Sequence, residues 1–216
     1  MVRRAGGVEA ILFDLGGVIV DLDWSRTNRA FRRLVPPSEF DRADQALAAI
    51  FTNQALHEYE RGEISWDDFR ARLGADIGME AGEAEFLAAW NEMLLEIPRE
   101  RLVRMEELKG RYRLGILSNT NERHIDAVNG YLKQRHGIDN LDTLVHTPLY
   151  SHLVRMRKPE PRVYAHAVAA LGVVPERILF IDDNRDNAAA ATAAGLVGYY
   201  LDLERETVLD VLQRFG

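Results

Sequence analysis

Ala10-Ile11-Leu12-Phe13-Asp14-Leu15-Gly16-Gly17-Val18-Ile19-Val20-Asp21 is the stretch that decides the fold. An apolar run too short for a helix leads directly into an acid and two glycines, which predicts a buried parallel strand ending in a tight turn. Asp14 then stands at the strand's carboxyl end, the edge of an open α/β sheet where ligands bind. Gly16 and Gly17 let the main chain bend closely around whatever Asp14 holds. Val18-Ile19-Val20 reads as a second short strand after the turn, with Asp21 and Asp23 beyond it.

Two later strands end in the same manner. Leu114-Gly115-Ile116-Leu117 runs into Ser118-Asn119-Thr120-Asn121, and Ile178-Leu179-Phe180-Ile181 runs into Asp182-Asp183-Asn184. Between them lies Arg157-Lys158-Pro159. An acid, a hydroxyl, a lysine and an acid pair in this order resemble the four motifs of the haloacid dehalogenase superfamily of phosphohydrolases, from about Ile11 to Leu201.

The remaining chain fits an alternating βα plan with one interruption. From Trp24 to about Glu96 the apolar residues fall at helical spacing (Phe31 and Leu34; Phe69 and Leu73; Phe86, Ala89 and Trp90), so a helical insert separates the first two strands of the sheet. Pro36-Pro37 breaks one of its helices, Arg61-Gly62-Glu63 separates two others, and Ser65 with Asp68 predicts a capping box. After Pro98 come an amphipathic segment over Leu102 to Leu108, a helix capped by Asn121, and a weaker strand at Leu144-Val145-His146. A helix from Pro161 to Leu171 stops at Gly172, another spans Asn187 to Ala194, a strand covers Val197 to Leu201, and a last helix covers Thr207 to Phe215. The expected architecture is α/β: a doubly wound, Rossmann-like parallel sheet over residues 1–20 and 97–216, with a helical cap over residues 21–96 inserted after the first strand.

Composition narrows the classes. The 216 residues are 47% hydrophobic and 28% charged, an ordinary globular balance. There is no cysteine, which excludes a disulfide framework, a thiolate nucleophile and a zinc-thiolate site. The net charge of −7 argues against nucleic acid as a main partner. No apolar stretch is long enough to span a bilayer, and the start at Met1 to Gly7, with Arg3 and Arg4, leads into no signal-type run. A cytoplasmic location away from membranes is the expectation. The six histidines are dispersed without zinc spacing, and His124 reads as a solvated helix residue that could also approach the site.

The resemblance implies roles for particular residues. Asp14 becomes the nucleophile that takes the phosphoryl group, and Ser118, the amide of Asn119 and Lys158 steady the phosphoryl oxygens. Asp14, the backbone carbonyl of Gly16 and Asp183 would hold Mg2+, with Asp182 and Asn187 gripping its waters. The cap would close over a small phosphorylated metabolite, and Trp24, Arg26, Tyr59, Glu60 and Arg61 are the candidates for touching the leaving group. For Trp24, packing within the cap is an equal alternative, whereas Trp66 and Trp90 read as packing residues.

One position departs from the pattern. Most phosphatases of the superfamily carry a second aspartate two residues after the nucleophile, as general acid and base, and here that residue is Gly16. Asp21 and Asp23 are nearby acids but read as ordinary loop residues. A subgroup with Asp-Leu-Gly here includes sugar-phosphate phosphatases, and the chain is most similar to the bacterial α-D-glucose-1-phosphatase type. The implied function is magnesium-dependent hydrolysis of a small phosphomonoester, such as the sugar phosphate glucose 1-phosphate, through an aspartyl-phosphate. Two alternatives stay open: a haloacid dehalogenase-type hydrolase, and a catalytically silent member that binds a phosphometabolite or a protein.

Overall fold

The computed structural model describes residues 7–79 and 82–215. The reading of Met1 to Gly7, including Arg3 and Arg4, falls almost wholly outside them. β1 (Ala10–Phe13) is the central strand of a five-stranded, all-parallel sheet with β2 (Arg113–Ser118), β3 (Thr147–Tyr150), β4 (Ile178–Asp182) and β5 (Val197–Tyr200), in the order β3-β2-β1-β4-β5. Phe13 pairs with Ile116 on one side and Ile181 on the other, which brings Asp14, Ser118 and Asp182 to one edge of the sheet.

Alternation along the strands sends side chains to two apolar layers. Ile11, Phe13, Leu114, Ile116, Leu179 and Ile181 pack on one face against α6 (Arg99–Lys109), α7 (Glu122–His136) and α11 (Val208–Leu212). Ala10, Leu12, Leu117, Ile178 and Phe180 pack on the other against α9 (Pro161–Leu171) and α10 (Arg185–Ala193). Strands buried on both faces need continuous apolar runs, which is why the sequence reads so plainly there.

Between β1 and β2 stand α1 (Trp24–Arg32), α2 (Phe40–Ala48), α3 (Gln54–Glu60), α4 (Trp66–Ile77) and α5 (Glu83–Asn91). They enclose a third apolar cluster built on Phe31, Leu47, Tyr59, Phe69, Phe86 and Trp90. The two chains joining this insert to the sheet run side by side: Asp21 and Glu96 are bonded through N to O at 3.0 Å, Leu95 and Asp21 at 2.9 Å, and Asp23 and Met93 at 2.9 Å. Asp21 pairs with Arg101 at 2.7 Å and Asp23 caps α1, so both acids are engaged in holding this junction.

Three local expectations change. Val18–Val20 forms no strand: the amides of Ile19 and Val20 turn back to the carbonyl of Leu15, and only an isolated bridge joins Gly16 to Val20. The strand expected at Leu144 to His146 lies further on, at Thr147–Tyr150, because Pro148 is tolerated in an edge strand whose other side needs no partner. The C-terminal helix keeps α-helical form only to Leu212, then tightens over Gln213–Phe215. α8 (Ser151–Val154) is a single turn after β3.

Candidate active site

The first functional group is placed by the end of β1. The amide of Asp14 still bonds to Ile181 O at 2.9 Å, continuing the ladder, and its carboxylate accepts from the Leu15 amide at 2.7 Å. Gly17 then turns with φ +72°, and a Cβ there would lie 2.2 Å from Asp183 Oδ2. Only glycine allows this turn to press so closely on Asp183. Asp14, Asp182 and Asp183 each bring a carboxylate oxygen within 4.8 Å of the others.

One cation joins two of these three acids. Lys158 Nζ lies 2.7 Å from Asp14 Oδ1 and 2.6 Å from Asp182 Oδ2, with its side chain 1% exposed. Burial of so strongly charged a group is tolerated because both partners are acids at hydrogen-bond distance. Asn119 fixes the lysine's backbone: its Nδ2 donates to Lys158 O at 2.9 Å, and its Oδ1 accepts from Lys158 N at 2.8 Å. The end of β2 thus determines where Lys158 stands.

Asp182 is fully buried, and its oxygens accept from Lys158, from the Asn184 amide at 2.8 Å and from Asn187 Nδ2 at 3.2 Å. Asp183 has no ion pair among the described residues. Desolvation, followed by the Asp182 charge, pushes Asp14 up to about 8, and the same two causes push Asp183 up to about 6. The attraction of Asp14 and Asp182 outweighs burial at Lys158 and holds its ammonium above the ordinary lysine range. Three acids set against one ammonium leave a surplus of negative charge, and their oxygen donors suit a hard divalent cation.

The cluster opens into a cavity of about 380 Å³ between the sheet edge and the insert. Asp14, Gly16, Ser118, Asn119, Lys158, Asp183 and Asn187 line it from the sheet side, and Trp24 and Glu60 from the insert. Asp182 sits behind this lining, where it anchors Lys158. Arg26 is outside the cavity and pairs with Glu92 at 3.1 Å. Arg61 is also outside, bonded to Glu160 at 2.6 Å, and Glu60 is held by Arg157 at 2.8 Å, so two crossed ion pairs tie α3 to the segment before α9. Tyr59 is buried in the insert, stacked on Phe69 with ring centroids 4.7 Å apart, and does not line the cavity.

Sequence reasoning missed several lining residues. His124 is buried, against the expectation of a solvated helix position, because α7 packs against α5 and lays the imidazole flat on Trp90 at 4.9 Å. Trp90, Phe51, Leu56, Met93 and Leu22 also face the cavity. No spacing signals them, since each follows the ordinary apolar pattern of its own helix or loop.

Comparison with known proteins agrees with this geometry. The family model described as haloacid dehalogenase-like hydrolase matches residues 8–195. The D-ribitol-5-phosphate phosphatase of Bacteroides thetaiotaomicron is 29% identical over 180 residues, covering 83% of this chain and 85% of that one. The sesquiterpene phosphatase astK of Aspergillus oryzae is 27% identical over 210 residues, covering 96% and 97%. A HAD family enzyme of Bacteroides thetaiotaomicron, solved in complex with magnesium and inorganic phosphate, superposes with a TM-score of 0.81 at 26% identity across 93% of this chain and 97% of that one. With its parallel sheet, its acids at the strand ends and a family match running nearly from β1 to β5, the chain belongs to the haloacid dehalogenase-like hydrolases.

Proposed function

We propose that the protein is a magnesium-dependent phosphatase that hydrolyses a small phosphomonoester through an aspartyl-phosphate on Asp14. The observation that carries this reading is the convergence of Asp14, Lys158 and Asp183 at one mouth of the cavity. Asp14, the carbonyl of Gly16 and Asp183 would hold the ion, which when bound offsets the acids' charge and polarises a phosphoryl oxygen. The negative surplus of the site and its all-oxygen donors support that fit.

The chain's own groups do the rest. A carboxylate oxygen of Asp14 attacks phosphorus, while the hydroxyl of Ser118, the amide of Asn119 and the ammonium of Lys158 donate to the phosphoryl oxygens as charge gathers there. The leaving oxygen departs with its bonding pair and takes a proton from solvent, water then attacks phosphorus, and Asp14 is restored as phosphate departs. Asp182 and Asn187 keep Lys158 and the turn in register, and the insert, acting as the cap over residues 21–96, shields the reaction from bulk water.

Likeness to the ribitol-phosphate enzyme and to the α-D-glucose-1-phosphatase type supports a sugar phosphate such as glucose 1-phosphate. Likeness to the sesquiterpene phosphatase supports an apolar ester instead. The test of the reaction itself is release of phosphate from p-nitrophenyl phosphate under magnesium titration. Release that requires the ion supports the reading. Release of halide from 2-chloropropionate, indifferent to magnesium and without phosphatase activity, would instead indicate dehalogenase chemistry.

A further inference from the structure

The cavity has two unlike walls. The sheet side is polar, whereas the insert presents Leu22, Trp24, Phe51, Leu56, Trp90 and Met93. The rings form a continuous run: Phe51 and Trp24 lie 5.0 Å apart between centroids, Trp24 and Trp90 5.9 Å apart edge-on, and Trp90 and His124 4.9 Å apart in a stack. Burial lowers the His124 pKa to about 4, so near neutral pH the end of this run is uncharged. Phe51 is 59% exposed and Leu22 38%, which leaves large apolar side chains in water at the cavity mouth.

Several polar side chains beside this wall already have partners, whereas the buried Trp90 indole nitrogen has none among the described residues. Glu60 is held by Arg157, Asn119 by the backbone of Lys158, Asn121 by the ring of His124, and Asn184 by the amides of Asp186 and Asn187. A leaving group rich in hydroxyls would exchange water for rings over most of its surface and find few acceptors there, Glu60 and Asp186 among them. An apolar ring would instead find offset and edge-on neighbours.

Chemistry at the other end narrows the class further. Gly16 supplies no acid to protonate the departing oxygen, and Asp21 and Asp23 are engaged elsewhere. A phenol ionises near pH 10, as tyrosine does, far more easily than an alkyl alcohol, so a phenolate can leave without help. We infer that the substrate is a phosphomonoester of an apolar aromatic alcohol, an aryl phosphate whose ring lies along Trp24, Phe51 and Trp90. This assignment rests on the phosphatase reading and specifies its leaving group.

The reaction balances with water alone. A bond forms from Asp14 to phosphorus as the bond from phosphorus to the aryl oxygen breaks. The phenolate leaves with the bonding pair and is protonated by solvent. Water then attacks phosphorus, the aspartyl bond breaks with its electrons returning to Asp14, and phosphate and the phenol are the products.

A matched pair of esters tests the assignment. In 4-propylphenyl phosphate and 4-(2-hydroxyethyl)phenyl phosphate the leaving oxygens are similarly acidic and the chains equally long, so polarity is the main difference. With magnesium, kcat/KM should favour the propyl ester by about tenfold or more. Phe51→Ser, a change at an exposed ring, should move the ratio towards unity while circular dichroism shows a folded chain. Equal or better turnover of the hydroxyethyl ester overturns the assignment, as does a glucose 1-phosphate kcat/KM above that of phenyl phosphate; in both cases the phosphatase reading stands. No phosphate release from any ester removes both.

Discussion

The two ends of the cavity were encoded differently. At the sheet end, Asp14, Ser118, Lys158 and Asp183 occur in short motifs at strand or loop ends, and a parallel sheet gathers such ends into one place. At the insert end, Phe51, Trp90 and His124 come from a 3-10 turn and two helices, brought together chiefly by packing. Chemistry that depends on a few fixed groups leaves a sequence signature, while an apolar wall assembled by packing does not.

The sharpest way to break this contrast is to remove the proposed nucleophile. Asp14→Asn should lower kcat on p-nitrophenyl phosphate by about 10³-fold or more. Its thermal midpoint should hold or rise, because an amide replaces one of three crowded acids. Residual activity within tenfold would mean that the sheet end is not where the reaction occurs. Lys158→Met should cost about 3 kcal/mol in urea unfolding as well as activity, since it strands the buried carboxylate of Asp182 and the part-buried one of Asp14. Arg26→Ala in the insert breaks only an exposed pair, and about 0.5 kcal/mol or less is expected. Similar losses in both would erase the distinction between a built site and a solvated surface.

The legible part of the fold was local. Ser65 and Asp68 form the expected capping box, and Asn121 caps α7 by accepting from the His124 amide. β3 was misplaced by three residues because Pro148 argues against a central strand and gives no sign of an edge. Arg26 and Arg61 were drawn into the site by being charged and near Trp24 and Glu60 in sequence. On a helix, neighbours point in different directions, so Glu60 faces the cavity while Arg61 reaches Glu160. Asn119 was expected to act on phosphate through its amide, and the role of its side chain in setting Lys158 required knowing that the two loops meet.

His124 sharpens the comparison through pH. Burial, only partly opposed by its bond to the Trp90 carbonyl, lowers its pKa to about 4. In the unfolded chain the imidazole protonates near its ordinary value of 6.5, so the folded state binds fewer protons between these values. Its contribution is therefore complete above about pH 6.5 and is lost as pH falls towards 4, amounting to roughly 2 kcal/mol by pH 5. Urea unfolding at pH 7 and pH 5 should show this loss, and His124→Gln should show a smaller one. An unchanged pH dependence in the variant would mean that the stack on Trp90 opens to water.

The smallest expected effect bears on how the two ends were matched to each other. If an apolar aryl ester is the substrate, the missing acid at Gly16 costs little, because a phenolate departs unaided. Gly16→Asp then adds a group useful only to poorer leaving oxygens. The new Cβ would lie 2.5 Å from Leu22 Cδ1, the tip of a 38% exposed side chain that can swing aside. Hydrolysis of an alkyl phosphate should rise by about tenfold, a modest share of what general acid catalysis supplies, while phenyl phosphate should change by less than about threefold. Glucose 1-phosphate should fall between them, as its anomeric oxygen leaves more readily than a simple alkoxide. Equal gains on all three esters would mean that leaving-group protonation limits none of them selectively, and the pairing of a ring-lined wall with an acid-free turn would lose its chemical reason.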